Sequence, residues 1–262
     1  MSSDRRTFLR GLVALPVLGA VPHAARAAEI TRRRRRWGMV IDLDRCAACN
    51  ACSVACRQEN NVPSYDADPT YNGARPEWMS MLWQEPEHPD ALPELLPLPC
   101  MHCADPPCVK VCPVGATYKD PDGITMQVWD RCIGCRYCMV ACPYSRRSFN
   151  WSEPRWSESE QQMLNPDVAT RPKGVVEKCT FCKHRVARVQ EEAALEGREP
   201  TDAELQRLPA CAAACPAGAI TFGDLEDPES RVAQEAASPR AFRLLEHLGT
   251  EPSVYYLKKD RG

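Results

Sequence analysis

The sequence lacks most of the signatures by which a chain declares a reaction. No Cys-x-x-Cys-His occurs, which argues against covalently attached c-type haem. There is no G-x-G-x-x-G, no phosphate-binding P-loop and no H-E-x-x-H, so dinucleotide, P-loop nucleotide and zincin chemistry find no support. A formal net charge of −2 offers no global basic excess for nucleic acid. Glycine is outnumbered, 13 against 24 prolines, as expected of a loop-rich protein. Irregular loops need a further source of stability, and metal–thiolate bonds supply one.

Cysteine is abundant instead, with 16 in 262 residues. They fall in four tight groups: Cys46, Cys49, Cys52 and Cys56; Cys100, Cys103, Cys108 and Cys112; Cys132, Cys135, Cys138 and Cys142; Cys179, Cys182, Cys211 and Cys215. An even count permits full disulfide pairing, but neighbours this close do not satisfy disulfide geometry with one another. A chain of this length also builds a core without needing eight staples. Metal ligation accounts for the grouping, because cysteines three residues apart on an open loop point at one centre.

The third group, Cys132-Ile-Gly-Cys135-Arg-Tyr-Cys138-Met-Val-Ala-Cys142-Pro143, has the spacing of bacterial [4Fe-4S] ligation, in which the fourth cysteine serves the other cluster of a two-cluster unit. Proline suits a chain turning away after its last ligand. The first group repeats the spacing but continues with Arg57. The second, ending Cys112-Pro113, widens the middle gap by two residues. The fourth is the loosest, with a long insert between Cys182 and Cys211. Alone it also fits a structural zinc site; its closing Cys215-Pro216 and the company of the other three favour a cluster. With every cysteine a ligand, no thiol remains as a nucleophile. A fully ligated cubane has no open iron for substrate, so electron transfer rather than catalysis is expected.

The N-terminus reads as an address. Arg5-Arg6-Thr7-Phe8-Leu9 precedes a short apolar run, Leu12–Val21, and the small-residue site Ala25-Arg26-Ala27. This is a twin-arginine export signal over 1–27, and the apolar run is too short to span a bilayer. Export in a folded state lets clusters assemble in a reducing cytoplasm before the chain reaches the periplasm. Residues 28–36 form a basic linker whose run Arg32–Arg36 is expected to be a solvated tail or a seam to an acidic partner rather than a nucleic-acid or lipid site.

Short apolar segments flank the cysteine groups: 39–43 before the first, 115–118 after the second, 123–128 before the third, 148–151 after the third and 218–222 after the fourth. Strands beside a ligand loop and a brief helix are the expected unit. The fold class is therefore α+β, with two bacterial-ferredoxin-like modules of short strands, short helices and long loops. Segments 57–99 and 152–174 read as ordered loops or insertions, 183–207 as helical with a break at Gly197 and Pro200, and the tail as a helix near Phe242, Leu245 and Leu248 followed by a docking strand at 254–257. His102 is expected to face solvent; a role in shading a cluster's potential is the lesser option. Tyr137, Tyr144 and Trp129 are expected to pack water away from the clusters.

Residues 99–118, 132–138, 164–168, 176–182 and 222–232 carry a family resemblance that spans about residues 37–257. The chain resembles the four-cluster iron–sulfur subunits of the complex iron–sulfur molybdoenzymes, such as dimethyl sulfoxide, tetrathionate and polysulfide reductases. It is also similar to the iron–sulfur part of alternative complex III. The resemblance implies a nested pairing of groups, first with fourth and second with third. Cluster 1 would use Cys46, Cys49, Cys52 and Cys215; cluster 2, Cys179, Cys182, Cys211 and Cys56; cluster 3, Cys132, Cys135, Cys138 and Cys112; cluster 4, Cys100, Cys103, Cys108 and Cys142. Some relatives replace a ligand of the third group and carry a three-iron cluster; with Cys135 present, four [4Fe-4S] clusters are expected here. The domains implied are 37–99 (first group plus insertion), 100–151 (second module), 152–225 (completion of the first module) and 226–262 (docking tail). The expected role is a periplasmic, non-catalytic relay between a molybdopterin-type catalytic subunit or multihaem cytochrome and a polytopic quinone-interacting membrane subunit. A free-standing ferredoxin-type carrier is the rival.

Overall fold

The computed structural model describes residues 35–63, 75–85 and 94–260. The export signal 1–27, most of the basic linker, and parts of the insertion in 57–99 lie outside them. The chain is mixed α/β. In order, it runs β1 (Trp37–Asp42), α1 (Ala51–Glu59), β2 (Met79–Gln84), β3 (Glu94–Pro99), α2 (Pro107–Lys110), β4 (Thr117–Lys119), β5 (Thr125–Gln127), α3 (Tyr137–Val140), β6 (Ser148–Phe149), α4 (Glu158–Gln162), β7 (Val176–Glu177), α5 (Lys183–Leu195), α6 (Asp202–Leu205), α7 (Ala210–Ala213), β8 (Ile220–Asp224), α8 (Arg231–Ala236), β9 (Ala241–Phe242) and β10 (Val254–Leu257). Among the described residues no helix is long and apolar enough to cross a membrane.

The main sheet has the order β8-β1-β10-β9. β1 is antiparallel to β8 and parallel to β10, with Met39 opposite both Phe222 and Val254. Its sequence, Trp-Gly-Met-Val-Ile-Asp, is apolar on both faces, as a central strand covered on both sides must be. Trp37 stacks on Phe222 with centroids 5.5 Å apart, and Phe222 meets Phe181 edge-on at 5.4 Å. This aromatic run ties the sheet to the fourth cysteine group. α8 covers β8 and β1.

Three antiparallel two-stranded ribbons complete the framework: β2 with β3, β4 with β5, and β6 with β7. The β2–β3 hairpin lies in the segment read as loop. Its prolines masked it: Pro97 and Pro99 stand opposite Met81 and Met79, and a two-stranded ribbon is all edge, where proline is tolerated. In the tail, the helix expected near Phe242, Leu245 and Leu248 is absent. Leu245 and Gly249 take positive φ of 49° and 65°, leaving the short strand β9 and one 3-10 turn. The strand at 254–257 is present and lies inside the main sheet. Two small helices, α4 and α8, were not anticipated. Each carries a serine cap, Ser157 and Ser230, whose hydroxyl accepts from the third helical N–H.

The last two arginines of the basic run are not a solvated tail. Arg35 pairs with Glu199 and lies over the Trp37 ring. Arg36 donates to Ser253 Oγ at 3.2 Å, and its N–H donates to Asp224 at 3.0 Å. They serve as a seam to acidic and polar groups of the same chain.

Candidate metal centres

The four cysteine loops bend alike. The residue before the second cysteine has positive φ in every one: Ala48 (53°), His102 (42°), Gly134 (70°) and Phe181 (53°). Left-handed backbone costs a residue bearing Cβ about 1–2 kcal/mol, yet three of these four are not glycine. Strain repeated at one register of four loops belongs to a site whose surroundings over-determine it. The reversal turns amides toward sulfur: Phe181 N–H donates to Cys179 Sγ at 3.4 Å. A second turn follows the last cysteine of three groups. The N–H of Gly115, Ser145 and Gly218 donates to the carbonyl of Cys112, Cys142 and Cys215 at 3.3, 3.2 and 3.2 Å. Thr117 N–H then donates to Cys112 Sγ at 3.5 Å, and Ala219 N–H to Cys215 Sγ at 3.3 Å. The first group, with Arg57 in place of proline, skips this turn. α1 runs on to Glu59, and Arg57 Nη1 donates to the Pro63 carbonyl at 2.7 Å.

Secondary structure joins the groups in a nested order. β1 enters the first group and β8 leaves the fourth, and the two pair. β4 leaves the second group and β5 enters the third, and these also pair. The helices agree: α1 packs on α7, and α2 on α3.

The sulfurs themselves form neighbourhoods. Burial, reinforced by the charges of Cys215 and Cys49, raises the Cys46 thiol. Burial pushes Cys52 up to about 11, with Cys46 and Cys215 adding to it. Cys56 is driven well up by burial and then by Cys179, Cys182 and Cys211. Cys103 is pushed up to about 12 by burial, with Cys100, Cys108 and Cys142 adding. Burial raises Cys138, with Cys108 and Cys132 acting on it in the same direction. Cys132 and Cys138 are neighbours, and α2, which carries Cys108, packs on α3, which carries Cys138.

This donor set fits iron–sulfur clusters. All sixteen cysteines are free of disulfides. Among the described residues, no group of three or more His, Cys, Asp or Glu converges as ligands to a single metal ion would. Grouped cysteines suit a cationic centre, which deprotonates its thiol ligands outright.

Several residues around the sulfurs escape sequence reasoning. His102 is fully buried, contrary to the expectation of a solvent-facing side chain. Its ring stacks on Phe181 at 3.7 Å, joining the second and fourth groups, and Nδ1 accepts from Thr125 N–H at 3.3 Å. Burial, then the charges of Lys178, Lys119 and Arg147, holds the imidazole neutral. Tyr144 is buried as expected, its hydroxyl on Thr250 Oγ1, but Tyr137 is largely exposed and does not exclude water. Asn60 Nδ2 lies 3.6 Å from Cys182 Sγ and 3.8 Å from Cys56 Sγ. Arg147 donates to Cys108 Sγ at 3.0 Å; burial opposes its charge, and the Cys108 and Cys138 sulfurs outweigh that. Arg171 and Glu177, both fully buried, form an ion pair. Arg171 also donates to the Asn60 and Asn61 carbonyls at 2.6 and 2.8 Å and lies between the Trp78 and Trp129 rings. No local pattern marks either arginine: Arg147 reaches Thr117, Gln127 and Cys108, and Arg171 reaches Asn60 and Asn61, all distant in the sequence.

The loops and their sulfurs define an iron–sulfur protein of the ferredoxin type, and a family model described as a 4Fe-4S dicluster domain matches residues 93–163. Curated relatives extend the likeness over most of the chain. The "Menaquinone reductase, iron-sulfur cluster-binding subunit" of Nitratidesulfovibrio vulgaris is 50% identical over 232 residues, 86% of this chain and 89% of the relative. The "Hdr-like menaquinol oxidoreductase iron-sulfur subunit 1" of Archaeoglobus fulgidus is 39% identical, covering 97% of this chain and 98% of the relative. The arsenate respiratory reductase iron–sulfur subunit of a Shewanella species is 37% identical, covering 85% of this chain and 96% of the relative. The chain belongs to the family of iron–sulfur subunits of complex iron–sulfur molybdoenzyme-type reductases and related quinone-linked complexes.

Proposed function

We propose that this protein is the electron-transfer subunit of a respiratory complex, relaying single electrons through four [4Fe-4S] clusters. The two ends of the relay are a molybdopterin-type catalytic subunit or multihaem cytochrome and a quinone-reactive membrane subunit. The observation that carries the reading is the nested joining of the cysteine groups, seen in the β1–β8 and β4–β5 pairings and in the α1–α7 and α2–α3 contacts. It supports two ferredoxin-like modules with the ligand sets given above, clusters 1 and 2 in one and clusters 3 and 4 in the other. Bound clusters accept and release one electron at a time with little rearrangement. The protein's part is to hold them at fixed spacing, to aim amides at their sulfurs and to keep water out. The chain needs no substrate pocket for this and is non-catalytic on its own. The exposed apolar side chains Ile133, Tyr137 and Val140 around the third group favour a fixed protein partner over a free-standing carrier. The twin-arginine segment 1–27 supports residence at the periplasmic face of the cytoplasmic membrane, held by partner subunits.

Anaerobic isolation of the membrane complex, with identification of the co-purifying chains, tests the role. Iron and acid-labile sulfide analysis tests the cofactors, with one of each expected for every one of the sixteen cysteines. Half that content, or zinc in its place, refutes the four-cluster reading. A chain that purifies alone from intact membranes refutes the fixed partners.

A further inference from the structure

Arg147 is a buried cation with 5% of its surface exposed. The groups that hold it are neutral or sulfur, none a carboxylate. Nη1 donates to Thr117 Oγ1 and to Gln127 Oε1, each at 3.1 Å, and the Thr117 hydroxyl donates to the same Gln127 oxygen at 2.6 Å. Nη2 donates to Cys108 Sγ at 3.0 Å. The guanidinium also acts on the Cys138 sulfur. Burying a guanidinium is costly unless an opposite charge stands beside it; as cluster ligands, the Cys108 and Cys138 sulfurs would supply that charge. Cys108 and Cys138 belong to the second and third groups and, in the proposed ligand sets, to the two clusters of one module. Arg147 therefore stands between them, tethered by β4 and β5.

We propose that Arg147 sets the reduction potentials of this cluster pair, raising both and making the Cys108 cluster the more electron-accepting. This rests on the four-cluster reading. The step it tunes would be transfer of one electron to this cluster from the neighbouring reduced centre of the relay, which is oxidised in turn; no bond breaks and no proton moves. The reduced cluster carries one more negative charge, so a fixed cation and an N–H bond to its sulfur favour it over the oxidised form. Two further cations act in the same direction: Arg146 acts on Cys142 and Cys100, and Lys119 Nζ donates to the Cys103 carbonyl at 2.9 Å. Arg147 alone touches a ligand sulfur and is the positioning residue of the set.

The test uses the intact complex, prepared anaerobically, with potentials read by electron paramagnetic resonance during redox titration. Cys108→Ser identifies the signal of the cluster concerned. Arg147→Gln is expected to lower that cluster's equilibrium constant for electron uptake about tenfold, a downward shift of about 59 mV for one electron. The Cys138 cluster is expected to shift less, and the signals of the other two not at all. Arg147→Lys keeps the charge and loses the fork, and Thr117→Val removes one tether; both are expected to give smaller shifts in the same direction with full iron content. Sixteen irons with unshifted potentials in Arg147→Lys and Thr117→Val, or an equal shift of all four signals, overturns the inference while leaving the relay intact. Fewer than sixteen irons in the wild-type chain sinks the four-cluster reading and this inference with it.

Discussion

Replacing Arg171 with methionine removes the charge but keeps much of the side chain's bulk between Trp78 and Trp129. It strands the carboxylate of Glu177 at zero exposure, since both partners of the pair are fully buried. Breaking such a pair costs about 3–5 kcal/mol. The Asn60, Asn61 and Ala169 carbonyls, which accept from Arg171 at 2.6, 2.8 and 2.9 Å, also lose a donor. Each such loss adds on the order of 1 kcal/mol, though not additively. The pair alone, at about 4 kcal/mol, corresponds to roughly a thousandfold in a rate, at 1.36 kcal/mol per decade. Loss of clusters makes unfolding irreversible, so the rate is the proper measure. The assay is the decay of cluster absorbance in denaturant under anaerobic conditions. Arg171→Met should bleach about a thousandfold faster than wild type. The double variant Arg171→Met/Glu177→Leu should recover much of that, because no charge is left stranded. Burial pushes the Glu177 carboxyl up, against the opposing pull of Arg171. A raised carboxyl contributes stability that is present at low pH and lost as pH rises through its folded pKa. Without Arg171 the rise is larger, so the deficit of the single variant should shrink as pH falls. A single variant that bleaches within threefold of wild type, or a double variant that bleaches faster than the single, refutes the reasoning.

Cys46→Ser and Cys215→Ser should perturb one and the same paramagnetic signal, and Cys56→Ser and Cys182→Ser another; Cys46 and Cys100 sharing a signal would contradict the nested order. Gly134 has φ +70°, and a Cβ there would lie 2.4 Å from the Gly174 carbonyl oxygen, so Gly134→Ala should lose the signal of the Cys132 set. Gly115→Ala, at φ +61° with nothing within 4 Å of its Cβ, should cost only about 1 kcal/mol and keep all signals; equal outcomes for the two glycines would refute the close approach. Burial opposes ionisation of Glu59, but bonds from Arg185 and His184, at 2.6 Å each, prevail and hold its carboxyl below the usual range. That stability is present above the ordinary Glu value of about 4.3 and is lost as pH falls through the lowered one. Glu59→Gln should therefore bleach faster than wild type at neutral pH, and the difference should close in acid; a gap that stays constant with pH would exclude the ion pair as its cause.

The ligand loops were legible because their chemistry is local. A sulfur every third residue, with a proline to turn the chain away, is written in a dozen consecutive positions. The strands next to those loops were legible for the same reason: β1, β4, β5 and β8 lie in short segments of alternating apolar residues against a cysteine group. Where the pattern was ambiguous, long-range pairing decided. The prolines of β3 read as loop until β2 lay beside them, and the apolar spacing around Leu245 read as helix until the backbone turned left-handed there. His102 is polar and sits on a loop, so it was expected at the surface. The ring of Phe181, from another cysteine group, covers it.

From the amino-acid order alone, then, come the four groups of cysteines and the iron–sulfur chemistry they suit, since most of that pattern lies within a few positions. The folded chain alone decides which loop faces which, and which cations stand beside which sulfurs. Arg147 reaches Cys108, and Arg171 reaches Asn60, only after β-pairing brings distant segments together. The strength of a buried charge depends on what surrounds it, and the surroundings are made by the fold.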